Sequence, residues 1–162
     1  MKIYKKYLIR RNLDTYSEMI FAGKINKQFN QKAFYPFKDK GIDIIGLDKN
    51  NNLCFYQLKA RNINQKFGEY WFQVEEEKLK RFEKVTRGKK SFWVLCALKE
   101  KEQFAFFKVP IGIVIRWYDE AKKNYKQKKK LFLHIKPLED GTYIIAPERV
   151  AKKINIMRYL LK

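Results

Sequence analysis

Only two cysteines, Cys54 and Cys96, and one histidine, His134, occur in 162 residues. That is too few for a tetrahedral zinc centre built from cysteine and histidine. Both cysteines sit in apolar, strand-like runs, "LCFY" and "VLCAL", and read as buried thiols in a reducing compartment. The seven glycines build no phosphate-cradling loop. No apolar run approaches the roughly 18 residues of a membrane-spanning helix. No linker, repeat or low-complexity tail interrupts the chain. Acids are the scarcest class for their kind: 17 Asp and Glu stand against 37 Lys and Arg, a formal net charge of +20.

What is present follows from that imbalance. Self-repulsion of +20 does not help a chain to fold, so a polyanionic partner is expected. Nucleic acid comes first, because phosphate contacts release condensed counterions. A membrane surface is not expected, since no long basic amphipathic helix stands out. Hydrophobic residues make up 46% of the chain, and Phe, Tyr and Trp together 16%, enough to pack the core of a single domain over 1–162. The opening "MKIYKKYLIRRNLDTYSE" carries charges where a secretory signal needs an apolar stretch, so an intracellular, cytoplasmic protein is expected.

The order of elements reads as α/β. Helical spacing of Leu13, Tyr16, Ile20 and Ile25 predicts a helix over about 12–31, with Asp14 or Thr15 as its cap. "AFYPF" predicts a short extended piece before a Lys-rich turn. Two strands flank "DKNNN". "EYWFQVEEEKLKRFEKVTRGKK" predicts a helix with Val74, Leu79, Phe82 and Val85 on one side, ended by Gly88. "SFWVLCAL" and "QFAFFKV" predict a strand pair; "IGIVIRWYDEAKKNYKQKKK" begins a helix after Pro110, with a strand left open by its Ile and Val content. "LFLHIKPL" and "GTYIIAP" predict strands around "EDG", and "ERVAKKINIMRYLLK" a closing helix.

The hairpin around "DKNNN" holds the chemistry. Asn tolerates the positive φ that tight turns require. A turn centred on Asn50 makes facing residue numbers sum to 100, so Asp43 faces Gln57, and Lys59 lies two residues on along the same face. An acid, an amide and an ammonium then converge from two adjacent strands. Polar groups in apolar strands cost free energy unless partnered. A hard cation on the Asp and Gln oxygens, with Lys59 beside a phosphate, would partner all three. Arg61 is a solvated residue or a phosphate contact. Lys122, Lys123, Lys126, Lys128, Lys129, Lys130 and Lys136 form an acid-free stretch expected to track phosphates.

With these residues in view, the stretch from Gly41 to Arg61 resembles the core of the PD-(D/E)xK nuclease superfamily. That motif has an acid on one strand, then an acid, any residue and lysine on the next. Here it maps to Asp43 and to "QLK", with Gln57 at the second acid position, a variant similar to Mrr-like endonucleases. "KGIDIIGLD", "FYQLKAR" and "VEEEKLKRFEKV" are similar to archaeal Holliday junction resolvases. The resemblance covers about residues 10–109, leaving about 110–162 as an additional carboxy-terminal extension.

The resemblance implies a restriction-endonuclease-like fold with a mixed central sheet flanked by helices. It implies catalytic Glu18, Asp43, Gln57 and Lys59, and Mg²⁺ or Mn²⁺ held by Glu18, Asp43 and Gln57. It further implies cleavage of duplex or branched DNA by a homodimer. Phe104, Phe106 and Phe107 are either the interface of that dimer or core. RNA is not excluded by these residues. Two other readings stand beside it. One is a nucleic-acid-binding protein on a degenerate nuclease fold, and the other a structural basic protein whose aromatics fill its core.

Overall fold

Residues 13–36, 41–99, 103–123, 129–147 and 153–161 are described by a computed structural model. Leu13–Phe29 form helix α1, which buries Ser17, Phe21, Ala22 and Ile25 along one stripe. The short extended piece after it is strand β1 (Lys32–Phe34), an edge strand. Strands β2 (Ile44–Leu47) and β3 (Leu53–Asn62) make the expected hairpin. Its turn is held by Asp48, whose Oδ1 accepts the amides of Asn50 and Asn52 at 2.9 and 2.8 Å, with Asn51 at φ +60°. The register pairs Ile44 with Tyr56 and Leu47 with Leu53, so facing numbers sum to 100 as the turn predicted.

The next segment departs from expectation. Tyr70–Glu75 is strand β4, and helix α2 begins only at Glu76 and runs to Val85. Period-two burial of Tyr70, Phe72 and Val74 explains the strand: Val74 belongs to it and not to the helical face. Leu79 and Phe82 of α2 are buried, whereas Val85 is 43% exposed. Thr86 caps the helix, its Oγ1 donating to the Phe82 carbonyl at 2.8 Å, and Gly88 follows at φ +71°.

Strands β5 (Lys90–Leu98) and β6 (Phe104–Pro110), helix α3 (Ile111–Lys123), and strands β7 (Lys130–Pro137) and β8 (Tyr143–Pro147) fall where the sequence placed them. Among the described residues 153–161 the closing helix does not form. Its described residues are strand β9 (Ile154–Asn155) and a 3₁₀ turn, Met157–Tyr159. Two open sheet edges compete for this segment and win: β9 pairs with β8, and the Leu161 amide donates to the Phe106 carbonyl of β6 at 2.9 Å.

The strands make two sheets. One is five-stranded and mixed, in the order β1-β2-β3-β5-β6, with β3 and β5 parallel; the other is antiparallel, in the order β4-β7-β8-β9. Between α1 and the first sheet lies one hydrophobic cluster, centred on Phe21, Ile25, Tyr56, Leu58 and Phe106. A larger cluster fills the opposite side, joining α2, α3, β5, β6 and the inward face of the second sheet through Phe72, Phe82, Trp93, Phe107, Trp117 and Leu133. Each large buried side chain there contributes about 1.5–3 kcal/mol. Residues beyond 110, among them Val114, Trp117 and Leu131, share this cluster with the preceding strands. Phe106 and Phe107 are 1% and 0% exposed, and Phe104 packs on Tyr16 and Phe106. Phe106 and Phe107 are core, and Phe104 is half-buried against it. Among the described residues, no helix is long and apolar enough to cross a membrane.

Candidate active site

Strand β2 ends at Ile44, opposite Tyr56, while β3 runs on to Asn62. Past that point the amides of β3 that face β2 need acceptors other than a strand. Two carboxylates supply them. Asp43 Oδ2 accepts the Leu58 amide at 2.6 Å, and Asp14 Oδ1 accepts the Ala60 amide at 2.8 Å. Alternate amides on a strand are about 7 Å apart, so the two acids line one edge of β3 side by side.

Gln57 is buried, 6% exposed, and its Nε2 donates to Asp43 Oδ2 at 2.6 Å. Its oxygen is turned toward Gly41, which takes φ +78°. Lys59 is half-buried, and its ammonium acts on the Asp43 carboxylate. Burial pushes the Asp43 carboxyl above the usual carboxylate range. The Leu58 amide, Lys59 and Gln57 pull it back, and the negative charge of Asp14 pushes it up further. The structure therefore brings Asp43, Gln57 and Lys59 together as their spacing predicted.

Glu18 lies one turn along the same helix from Asp14. It is half-buried on α1, and its charge acts on Tyr35, one cause of that phenol's raised pKa after burial. Asp14, one turn earlier on α1, is a helix acid whose charge reaches Asp43. The sequence signal for Asp14 was only a place in the first helical turn, where an acid reads as a cap.

The donor set suits some ions and not others. Asp14 and Asp43 offer carboxylate oxygens and Gln57 an amide that can present its oxygen. Among the described residues, no group of three His, Cys, Asp or Glu is placed to hold a metal. Two carboxylates with an amide fit a largely hydrated hard cation such as Mg²⁺ or Mn²⁺, which keeps several waters, and do not fit a closed zinc site. Cys54 and Cys96 are buried free thiols, and burial holds the Cys96 pKa high.

The basic residues divide. The Arg61 guanidinium Nη1 donates to the Ala60 carbonyl at 2.6 Å, which folds the side chain back along β3. Lys122 is not a free phosphate contact: its Nζ lies 2.7 Å from Glu76 Oε1, and the same carboxylate pairs with Lys80. Hydrogen bonds from these two lysines hold the Glu76 pKa down at about 2. Lys123, Lys129, Lys130 and Lys136 are exposed, while Lys126 and Lys128 lie outside the described residues.

No protein-family model and no curated protein sequence matches the chain. Solved structures do. Hjc of Archaeoglobus fulgidus, a Holliday junction resolvase from an archaeal hyperthermophile, aligns over 93% of this chain and 92% of its own, at 14% identity and TM-score 0.52. The bacterial homing endonuclease I-Ssp6803I aligns over 92% of this chain and 84% of its own, at 14% identity and TM-score 0.50. The chain thus has the mixed α/β fold of these nucleases, of the restriction-endonuclease-like kind that the hairpin motif implied.

Proposed function

We propose that this chain is a metal-dependent endonuclease that hydrolyses DNA phosphodiester bonds, with branched DNA as its substrate class. One observation carries the reading: Asp14, Asp43, Gln57 and Lys59 cluster where β3 outruns β2. The shared fold with a junction resolvase and a homing endonuclease supports it, as does the net charge of +20.

Asp14, Asp43 and Gln57 would hold Mg²⁺ or Mn²⁺. Such an ion, when bound, polarises a phosphate and lowers the pKa of a bound water. The chain's own residues do the rest. The Leu58 and Ala60 amides orient the two carboxylates toward one edge of β3. Lys59, on the same face as Gln57, orients the attacking water or neutralises charge developing on the phosphate. Arg61 and the exposed lysines bind flanking phosphates and supply affinity without sequence preference. A junction presents two equivalent strands, and a homodimer with twofold symmetry would cut both.

A second reading has its own support. The Gln57 amide nitrogen, not its oxygen, faces Asp43, so the glutamine satisfies the acid with no ion. That arrangement suits a nucleic-acid-binding protein that has given up catalysis. The test is incubation with labelled duplex, single-stranded and four-way-junction DNA in Mg²⁺, Mn²⁺ or EDTA. Cleavage that requires the ion and vanishes in Asp43→Asn and Lys59→Ala supports the nuclease. Binding without cleavage under every condition supports the second reading.

A further inference from the structure

Strand β4 has two faces. Tyr70, Phe72 and Val74 enter the core, and Trp71 faces outward, opposite His134 of β7. Just before β4, Phe67 stands 48% exposed at the tip of the β3–β4 loop. Its ring stacks on Trp71 with centroids 4.9 Å apart and planes 22° from parallel, and Trp71 in turn meets the His134 ring at 4.9 Å. Three rings form a ladder that begins in a half-buried sheet face and ends at an open phenyl group.

The ladder is held in advance. Glu69 Oε2 accepts the Trp71 indole N–H at 3.3 Å and lies 3.4 Å from His134 Nδ1. In the loop, the Asn64 amide donates to the Glu69 carbonyl at 2.7 Å, and the Asn64 carbonyl accepts the amides of Phe67 and Gly68 at 3.2 and 2.8 Å. Gly68 takes φ +64°, which brings the chain back without a side chain's penalty. A ring fixed this way loses little conformational freedom when a second flat ring stacks on it.

Its surroundings are cationic. Lys66 Nζ lies 5.4 Å from the Phe67 centroid, and Lys136, exposed, leaves β7 two residues after His134. The loop also continues β3, the strand that carries Lys59 and Arg61. Phe67 is eight residues beyond Lys59, so at about 3.3 Å per residue it lies within roughly 26 Å, a few nucleotides away.

We propose that the Phe67–Trp71–His134 ladder is a stacking platform for one unpaired nucleobase of the bound nucleic acid, with Lys66 taking the adjacent phosphate. A flat apolar ring beside an ammonium suits a base with its phosphate and lacks any element that reads sequence. Paired bases in a duplex hide their faces, so the platform selects strands with an unstacked base, such as single strands, bulges and branch points. The inference rests on the nucleic-acid part of the proposed function and not on catalysis.

Binding in EDTA separates the two. Full-length protein and the variants Phe67→Ala, Phe67→Trp and Lys66→Gln are titrated into duplex, single-stranded and bulged DNA carrying 2-aminopurine at the unpaired position. The parent is expected to quench 2-aminopurine and to prefer the bulged over the continuous duplex. Phe67→Ala should lose affinity for unpaired strands by about tenfold or more and lose the quenching, with duplex affinity unchanged. Phe67→Trp should keep both. Equal affinities of parent and Phe67→Ala for the bulged strand overturn the platform while leaving the nuclease reading intact. A parent that binds no nucleic acid overturns both. If Phe67→Ala instead turns a dimer into a monomer in light scattering, with nucleic-acid affinity unchanged, the ladder is a contact between copies and the inference falls.

Discussion

Gln57 Nε2, on β3, donates at 2.6 Å to Oδ2 of Asp43, the residue just before β2 and one step beyond the last pair of the β2–β3 ladder. The same oxygen also accepts the Leu58 amide. A buried acid with two donors and an acidic neighbour is held above the usual carboxylate range.

The first prediction concerns Asp43 and pH. Its folded pKa is raised by burial and by Asp14, so the folded state holds the proton more tightly than the unfolded chain. Its contribution to stability is therefore full below the ordinary carboxylate pKa and is lost as pH rises through the raised value. Asp43→Asn should melt higher than the parent at neutral pH without metal. The gain should shrink as the solution is acidified below the carboxylate range. Mn²⁺ should raise the melting temperature of the parent and leave Asp43→Asn unmoved. Thermal melts across pH, with EDTA or Mn²⁺, check all three.

Gln57→Glu puts a carboxylate where an amide now donates to Asp43. Two acids at that distance repel, so the variant should be less stable than the parent in EDTA. A third carboxylate should tighten Mn²⁺ by about tenfold or more, since unit charges a few Å apart interact by several kcal/mol even near a surface. Gln57→Ala should weaken it. Calorimetric titration reads the affinities directly, and equal values in all three proteins would remove Gln57 from the ligand set.

Asp14 and Glu18 make a paired test. Asp14→Asn should weaken Mn²⁺ binding and cut cleavage by about a hundredfold, the scale on which a positioned electrostatic group acts. Glu18→Gln should leave both close to the parent, because its charge acts on Tyr35. Single-turnover cleavage with saturating protein is the measurement, and the reverse ranking would return the helix ligand to Glu18.

The exposed lysines should act through salt. Converting Lys123, Lys129 and Lys130 to Gln should weaken every DNA alike and lower the slope of log affinity against log salt by up to about 3. Lys122→Gln should change that slope little, because Lys122 already pairs with Glu76. Its effect should appear in Glu76, whose carboxyl would titrate closer to the ordinary range once one of its two lysines is gone. Salt-dependent binding and NMR titration of Glu76 read these separately.

Much of this was legible in advance. The "DKNNN" turn dictated the register that sets Asp43 opposite Gln57, because a turn of given length leaves few ways to pair its strands. Helix α1, the β5–β6 pair and α3 followed from apolar periodicity, but the face α1 buries is that of Ser17, Phe21, Ala22 and Ile25, and Ile20 is 42% exposed. β4 escaped because "EYWFQVEEE" alternates for only six residues and runs directly into a helix, so Val74 fits either period. Over the described residues 153–161 the closing helix gave way because Ile154, Ile156 and Leu161 had sheet edges and core to enter, which outweigh local helical preference.

What the sequence by itself determined is therefore local: a turn, its register, a lone acid facing an amide, and an excess of positive charge in search of a polyanion. Tertiary structure brought Asp14 beside them. Asp14 and Glu18 are four apart and share one helical face, so spacing cannot separate them. The place of Asp14 came from where β2 stops: that left the Ala60 amide of β3 without a strand, and the first-turn acid of the helix packed over it was within reach. The aromatic ladder was decided the same way, since Phe67, Trp71 and His134 come from a loop and two strands that meet only when the second sheet forms.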